Sequence, residues 1–201
     1  MITYLLTGIV AISSPYVRVS NIGEQERIWS GVVISETEDD YHILTCAHGI
    51  DGLHKRNIHL QVDFVDTGQY NYVSVPATLI KKDIDRDLAL IKCPKLKMVT
   101  IKPVPLGKDP PKNSRSTVCG FAGRKKMAIR SYTVRSIGEY QGTNGEDLLL
   151  LNGRAVSGFS GGAVISNGKI VGIQSSGTNV NVTCASLQQI KDFTKKAGIN
   201  K

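Results

Sequence analysis

No histidine follows His59 in this chain of 201 residues, no Cys-x-x-Cys pair occurs, and no Lys or Arg precedes Arg18. No acid interrupts the stretch from Lys112 to Arg135. Each absence excludes something. Without closely spaced cysteines, a zinc knuckle or a dithiol redox motif has no thiols to work with. Cys46, Cys93, Cys119 and Cys184 lie far apart and read as buried free thiols acting as small apolar residues, which suits a reducing compartment. Without a basic segment ahead of it, the opening run MITYLLTGIVAISS lacks the layout of a secretory signal, and it is too short to span a membrane. A packed helix or strand is expected there, and no membrane partner.

The acid-free stretch is an excess rather than a shortage. Lys112, Arg115, Arg124, Lys125, Lys126, Arg130 and Arg135 concentrate much of a formal net charge of +8. Solvated turns and outward strand faces account for such a run. An acidic partner, nucleic acid included, is left open but unsupported. Phe121 and Tyr132 are the only aromatics in the stretch, too few for a base-stacking platform.

The dominant period along the chain is two. YVRVS, NIHLQVDFV, YNYVSV and MAIRSYTVRSI alternate apolar and polar residues, as half-buried strands do. GVVIS, YHILTC, DLALIK, DLLLL, GGAVIS and KIVGIQ are short apolar runs that suit more deeply buried strands. Asn167-Gly168 predicts a type I′ hairpin between two of them, and Pro76 predicts an edge or a bulge. One helix is expected, at the C-terminus. Ser186 and Gln189 form a capping-box pattern, Leu187, Ile190, Phe193 and Ala197 share a face, and Gly198 fits the stop. The proline-rich stretch 102–114 predicts a linker between two strand-rich halves, so the reading is all-β with two small barrels or sandwiches.

The chemistry is carried by Gly158-Phe159-Ser160-Gly161-Gly162. A serine among glycines fits the elbow of an α/β-hydrolase, but that fold needs a histidine after the serine and a helix directly behind it. Here the histidines are His42, His48, His54 and His59, and a hairpin follows Ser160. A subtilisin-like order (an acid such as Asp39 or Asp40 ahead of the histidine) would need many helices to cover a parallel sheet. The order that remains is histidine, aspartate, serine. His48 ends the buried strand of YHILTCAHGI. Asp87 opens the apolar strand of DRDLALIK, where a buried carboxylate calls for a partner. Asp83 and Asp85 read as surface acids of the preceding turn, and Ser157 as a turn residue without flanking glycines.

ILTCAHGI, RDLALIK and GFSGGAVISNGKIVGI, in this order, resemble the chymotrypsin-like (trypsin-like) serine proteases, most of all their bacterial, high-temperature-requirement and viral branches. The resemblance implies one peptidase domain (1–201) of two six-stranded antiparallel β-barrels, at 15–101 and 115–185, joined by the linker 102–114 and followed by a helix at 186–198. It implies no cofactor and no metal, a protein or peptide substrate, and no appended peptide-binding module. With the free thiols, it points to the cytoplasm of a bacterium or of a phage- or virus-infected host cell. Its triad falls on His48, Asp87 and Ser160, and its oxyanion hole on the backbone of Gly158 and Ser160. Its substrate-binding walls fall on Arg154, Ala155, Val156 and Ser157 and on Gln174, Ser175, Ser176 and Gly177. Phe159 stands where digestive members carry the aspartate that pairs with a new N-terminus, so activation by that route is not expected. Gly49 stands where they carry a disulfide cysteine. Arg154 stands where trypsin carries an acid, which speaks against a Lys/Arg preference.

Overall fold

The structure, a computed structural model, describes residues 14–22, 27–51, 59–65, 72–97, 99–122, 126–141 and 147–199. The N-terminal apolar run up to residue 13, His54, and Arg124 and Lys125 of the basic stretch lie outside the described residues. Period-two segments become strands, and the strands close into two antiparallel barrels. The first comprises β1 (Tyr16–Ile22), β2 (Ile28–Glu36), β3 (Asp40–Thr45), β4 (His59–Val65), β5 (Tyr72–Asp83) and β6 (Leu88–Pro94), in the order β1-β2-β3-β6-β5-β4. The second comprises β7 (Arg115–Ala122), β8 (Lys126–Gln141), β9 (Asp147–Asn152), β10 (Ala163–Ser166), β11 (Lys169–Gly177) and β12 (Asn181–Ser186), in the order β10-β11-β12-β9-β8-β7. Closure gives each strand two neighbours over part of its length and leaves only short edges unpaired among the described residues. The resemblance and the topology agree.

Local chemistry explains the turns. Asn167 and Gly168 both have positive φ, 51° and 72°, between the paired Ser166 and Lys169. That is the type I′ geometry, whose twist matches the flanking strands. Pro76 pairs across to Gln61 of β4, whereas β5 joins β6 only from Thr78 onward. Its missing N–H therefore falls where β5 has a partner on one side alone.

Three apolar clusters divide the work. Val17, Trp29, Val33, Ile43, Phe64 and Ile91 are among those filling the first barrel. Val118, Leu149, Leu151, Phe159 and Val171 are among those filling the second. A third cluster joins them: Val32, Leu44 and Leu90 of the first barrel meet Ala163, Ile170 and Ile173 of the second. Helix α1 (Leu187–Lys196) caps this seam with Ile190 and Phe193. Its capping box is formed as expected, with the Ser186 and Gln189 side chains each accepting the other's backbone N–H. Residues 102–114 bind both barrels: Val104 N–H donates to Val33 C=O at 3.0 Å and Gly107 N–H to Ile170 C=O at 2.8 Å. The seam is thus held by apolar burial, which fixes the cleft above it.

Candidate active site

His48 lies three residues beyond β3, in a turn closed by Ile50 and Asp51 N–H groups on Ala47 C=O at 2.9 and 2.8 Å. Gly49 makes this turn fit. A Cβ there would come within 2.7 Å of the Trp29 ring, so a larger residue would push the histidine segment off the barrel. Asp87 ends the turn before β6 at φ 50°, a left-handed conformation that aspartate tolerates better than most residues. Asp83, read from the sequence as a surface acid, builds this turn: its carboxylate accepts from Arg86 N–H at 3.1 Å and from the Arg86 guanidinium at 2.9 Å.

The two side chains meet. Asp87 Oδ1 accepts from His48 backbone N–H, and Oδ2 from His48 Nδ1–H, both at 2.7 Å. The Ser175 hydroxyl also donates to Oδ2. The hydrogen bond to Asp87, and after it a contact with Cys46, lift the His48 imidazole well above its ordinary value, although burial opposes them. Burial alone would raise the Asp87 carboxyl, but the hydrogen bonds from His48 and Ser175 outweigh it and hold the group below the ordinary carboxylate range. This arrangement fixes the tautomer with Nδ1 protonated and leaves Nε2 as the reactive nitrogen.

Ser160 comes from the other barrel, on the segment between β9 and β10. Phe159 N–H donates to Val156 C=O at 3.1 Å, and Gly158 has φ 90°. A four-residue turn with positive φ at its third position is type II, and it requires glycine there. Gly161 has φ 78°, and a Cβ on it would lie 2.1 Å from Ser30 C=O and 2.4 Å from Thr45 Oγ1. Two independent constraints thus demand glycine at 161. Phe159 points inward and is fully buried in the second barrel.

Ser30 of β2 clasps this turn from the first barrel. Its N–H donates to Ser160 C=O at 2.8 Å, and its hydroxyl donates to Gly158 C=O at 2.7 Å and accepts Phe121 N–H at 2.9 Å. Its own carbonyl accepts the Thr45 hydroxyl at 2.6 Å. The sequence reading missed Ser30. The available signal was a lone polar residue inside the apolar run IWSGVVIS. It also missed that Ser175 bonds Asp87 and that Cys46 lies 3.8 Å from His48 Nε2; no period or motif announces such cross-chain contacts.

A cavity of about 620 Å³ joins His48, Asp87 and Ser160 with Ala155, Val156 and Ser157 on one wall and Gln174, Ser175, Ser176 and Gly177 on the other. The walls touch closely, since a Cβ on Gly177 would sit 2.6 Å from that of Ala155. Arg154 is placed elsewhere. It lines an adjoining cavity of about 510 Å³ with Arg130 and Tyr132, its carbonyl accepting the Tyr132 hydroxyl at 3.0 Å. The Ser160 hydroxyl donates to Ser175 C=O at 3.1 Å and makes no hydrogen bond to His48. Of the other histidines, His42 bonds Ser35 Oγ at 2.9 Å on the first barrel, and His59 begins β4.

The family model described as a trypsin-like peptidase domain matches residues 29–173. The chain belongs to this family. Its fold matches that of several solved structures. The active form of the Rv3671c protease from M. tuberculosis superposes with a TM-score of 0.76 at 18% identity, over 96% of this chain and 85% of that one. The inactive form gives 0.74 at 18% identity, over 94% and 92%. Deg5 gives 0.72 at 20% identity, over 90% and 88%. A sequence search of curated proteins found no match. In this trypsin-like peptidase domain all four cysteines are buried and free of disulfides. Among the described residues no helix is long and apolar enough to cross a membrane.

Proposed function

We propose that this trypsin-like domain is an active serine endopeptidase with His48, Asp87 and Ser160 as its triad. One observation carries the reading: a histidine locked by two hydrogen bonds to a carboxylate shares a single cavity with a serine on a glycine-built turn of the opposite barrel. A serine hydroxyl is a poor nucleophile at neutral pH, and such a site supplies the base it needs.

In the proposed reaction Ser160 Oγ attacks the peptide carbonyl carbon while its proton passes to His48 Nε2. For this the hydroxyl exchanges its bond to Ser175 C=O for one to His48. Long or misdirected catalytic bonds are common before substrate binds. The oxyanion that forms takes hydrogen bonds from the N–H groups of Gly158 and Ser160, neither of which donates to another backbone group among the described residues. His48 then returns the proton to the leaving amine, and water hydrolyses the acyl-enzyme by the same steps. Asp87 holds the ring and stabilises its charged form. Both cleft walls supply substrate contacts, with the β11 edge at Ser175–Gly177 pairing to an extended peptide. Phe159 in the core leaves no carboxylate at that position for a freed amine, which supports a site that needs no N-terminal cleavage.

The hydrogen bond from Ser160 to Ser175 C=O also favours a second reading, a protease-fold binding protein with little turnover. A fluorophosphonate separates the two. The peptidase is expected to form a covalent adduct mapped by mass spectrometry to Ser160, and Ser160→Ala is expected to form none; absence of the adduct in the wild-type chain would leave the binding reading.

A further inference from the structure

The second barrel opens into a fork where β8 and β9 part. Their pairing joins Thr133 to Asn152 and does not reach back to Arg130 and Ser131 of β8 among the described residues. Beyond Asn152 the chain swings instead toward the β11–β12 turn, with Gly153 N–H donating to Val180 C=O and Ala155 N–H to Thr178 C=O, both at 2.9 Å. The space between the two arms is the cavity of about 510 Å³ that Arg154 lines. Tyr132 forms its base. The Tyr132 hydroxyl donates across the fork to Arg154 C=O at 3.0 Å, and its ring lies so near Gly153 that a Cβ there would come within 2.4 Å of it.

One arginine stands on each arm, Arg130 on β8 and Arg154 on the departing segment, and both are exposed and line the cavity. Neither forms an ion pair among the described residues, and no acid lines the fork. Burial raises the Tyr132 phenol while the Arg130 charge opposes it, so Arg130 lies by the hydroxyl that bonds the Arg154 backbone. Two cations sharing a cavity repel, and an anion between them reverses the sign of the interaction. Ser131 and Ser157 add exposed hydroxyl donors. The catalytic cavity shares only Ala155, Val156 and Ser157 with the fork; His48, Asp87 and Ser160 line the one, Arg130 and Arg154 the other. A ligand of the fork is therefore not the residue before the cleaved bond.

We propose that this fork binds a phosphoryl dianion between the Arg130 and Arg154 guanidinium groups. A phosphoryl group carries about −1.5 to −2 charges at neutral pH, which matches two cations, whereas a single carboxylate matches one. Planar guanidinium groups grip phosphate oxygens in pairs, as an ammonium does not. The cavity is larger than a bare phosphate needs, so it also takes the start of whatever chain carries the phosphoryl group.

The test titrates the full chain by calorimetry at constant ionic strength with inorganic phosphate, acetate and a phosphoserine tetrapeptide. The expected result is one saturable phosphate site, with acetate weaker by at least about tenfold. Arg130→Gln and Arg154→Gln should each weaken phosphate by about tenfold. Arg115→Gln removes an exposed charge of the same basic stretch outside the fork, and should change affinity less than about twofold. A melting curve of each variant without phosphate confirms that it is folded. Tighter binding of the phosphopeptide than of phosphate supports a site for a phosphorylated chain, and equal or weaker binding supports one for free phosphate. No saturable binding, acetate as tight as phosphate, or equal losses in all three variants would overturn the inference. None of these readouts involves turnover at Ser160, so its failure leaves the peptidase reading untouched.

Discussion

The two barrels prepare their halves of the site by different means. The first barrel presents His48 and Asp87 through side-chain hydrogen bonds and charge, with the carboxylate gripping both the backbone and the ring of the histidine. The second presents Ser160 through backbone shape, with glycines at φ 90° and 78° on either side of it. One half is electrostatic and the other steric. Damage to the first should therefore depend on pH and spare the fold, while damage to the second should cost the fold itself.

The largest effect is expected from Asp87→Asn. It removes the acceptor that fixes the His48 tautomer, and kcat should fall by about 10⁴. The same change should move the acid limb of the kcat/KM profile. That limb is expected above the ordinary imidazole value of ~6.5 in the wild-type chain and lower in the variant. Stability should follow the signs of the two shifts. The depressed Asp87 contributes above its ordinary value of ~3.9 and loses its contribution as pH falls through its folded value. The elevated His48 contributes fully below ~6.5 and loses its contribution as pH rises through its folded value. The melting-temperature deficit of Asp87→Asn should thus be greatest between about pH 4 and 6.5 and shrink on both sides. A deficit independent of pH would break the electrostatic half of the comparison.

Gly161→Ala should come next, and should act on stability. A methyl group 2.1 Å from Ser30 C=O, at φ 78°, has no room and a strained backbone. A loss of roughly 3 kcal/mol or more, read by denaturant unfolding, is expected. Gly168→Ala is the matched control. It has a similar φ of 72° but nothing within 4 Å of the new methyl group, so only the conformational cost of about 1 kcal/mol applies. Equal losses at the two glycines would show that packing at the barrel junction contributes nothing.

Ser30→Ala sharpens the comparison because Ser30 belongs to the first barrel yet acts on the second. Losing its hydroxyl leaves Phe121 N–H without its partner and frees Gly158 C=O. Stability should drop by about 1–3 kcal/mol. kcat should fall by roughly tenfold, with KM little changed, because the turn aims donors at the transition state rather than at the bound peptide. A rise in KM alone would assign Ser30 to substrate binding instead.

Much of this was legible in the residues. Period two gave the strands, Asn167-Gly168 the hairpin and Ser186 with Gln189 the helix start, because these rest on interactions between near neighbours in the chain. The order of histidine, acid and serine narrowed the chemistry before any contact was known. Asp83 shows the limit: its pattern was that of a solvent-facing acid, whereas its carboxylate shapes the turn that delivers Asp87.

The sequence by itself determined an all-β chain with a glycine-flanked serine and an earlier histidine and aspartate, since alternation, turn chemistry and residue order are local properties. Only the tertiary structure decided that Ser30 reaches across to Gly158, that Ser175 bonds Asp87, that Arg154 lines a different cavity from Ser160, and that the Gln174 backbone bonds Gly161 and Gly162 of the nucleophile segment. Those facts depend on how two closed barrels pack along an apolar seam, and contacts between residues far apart in the chain leave no mark on local composition.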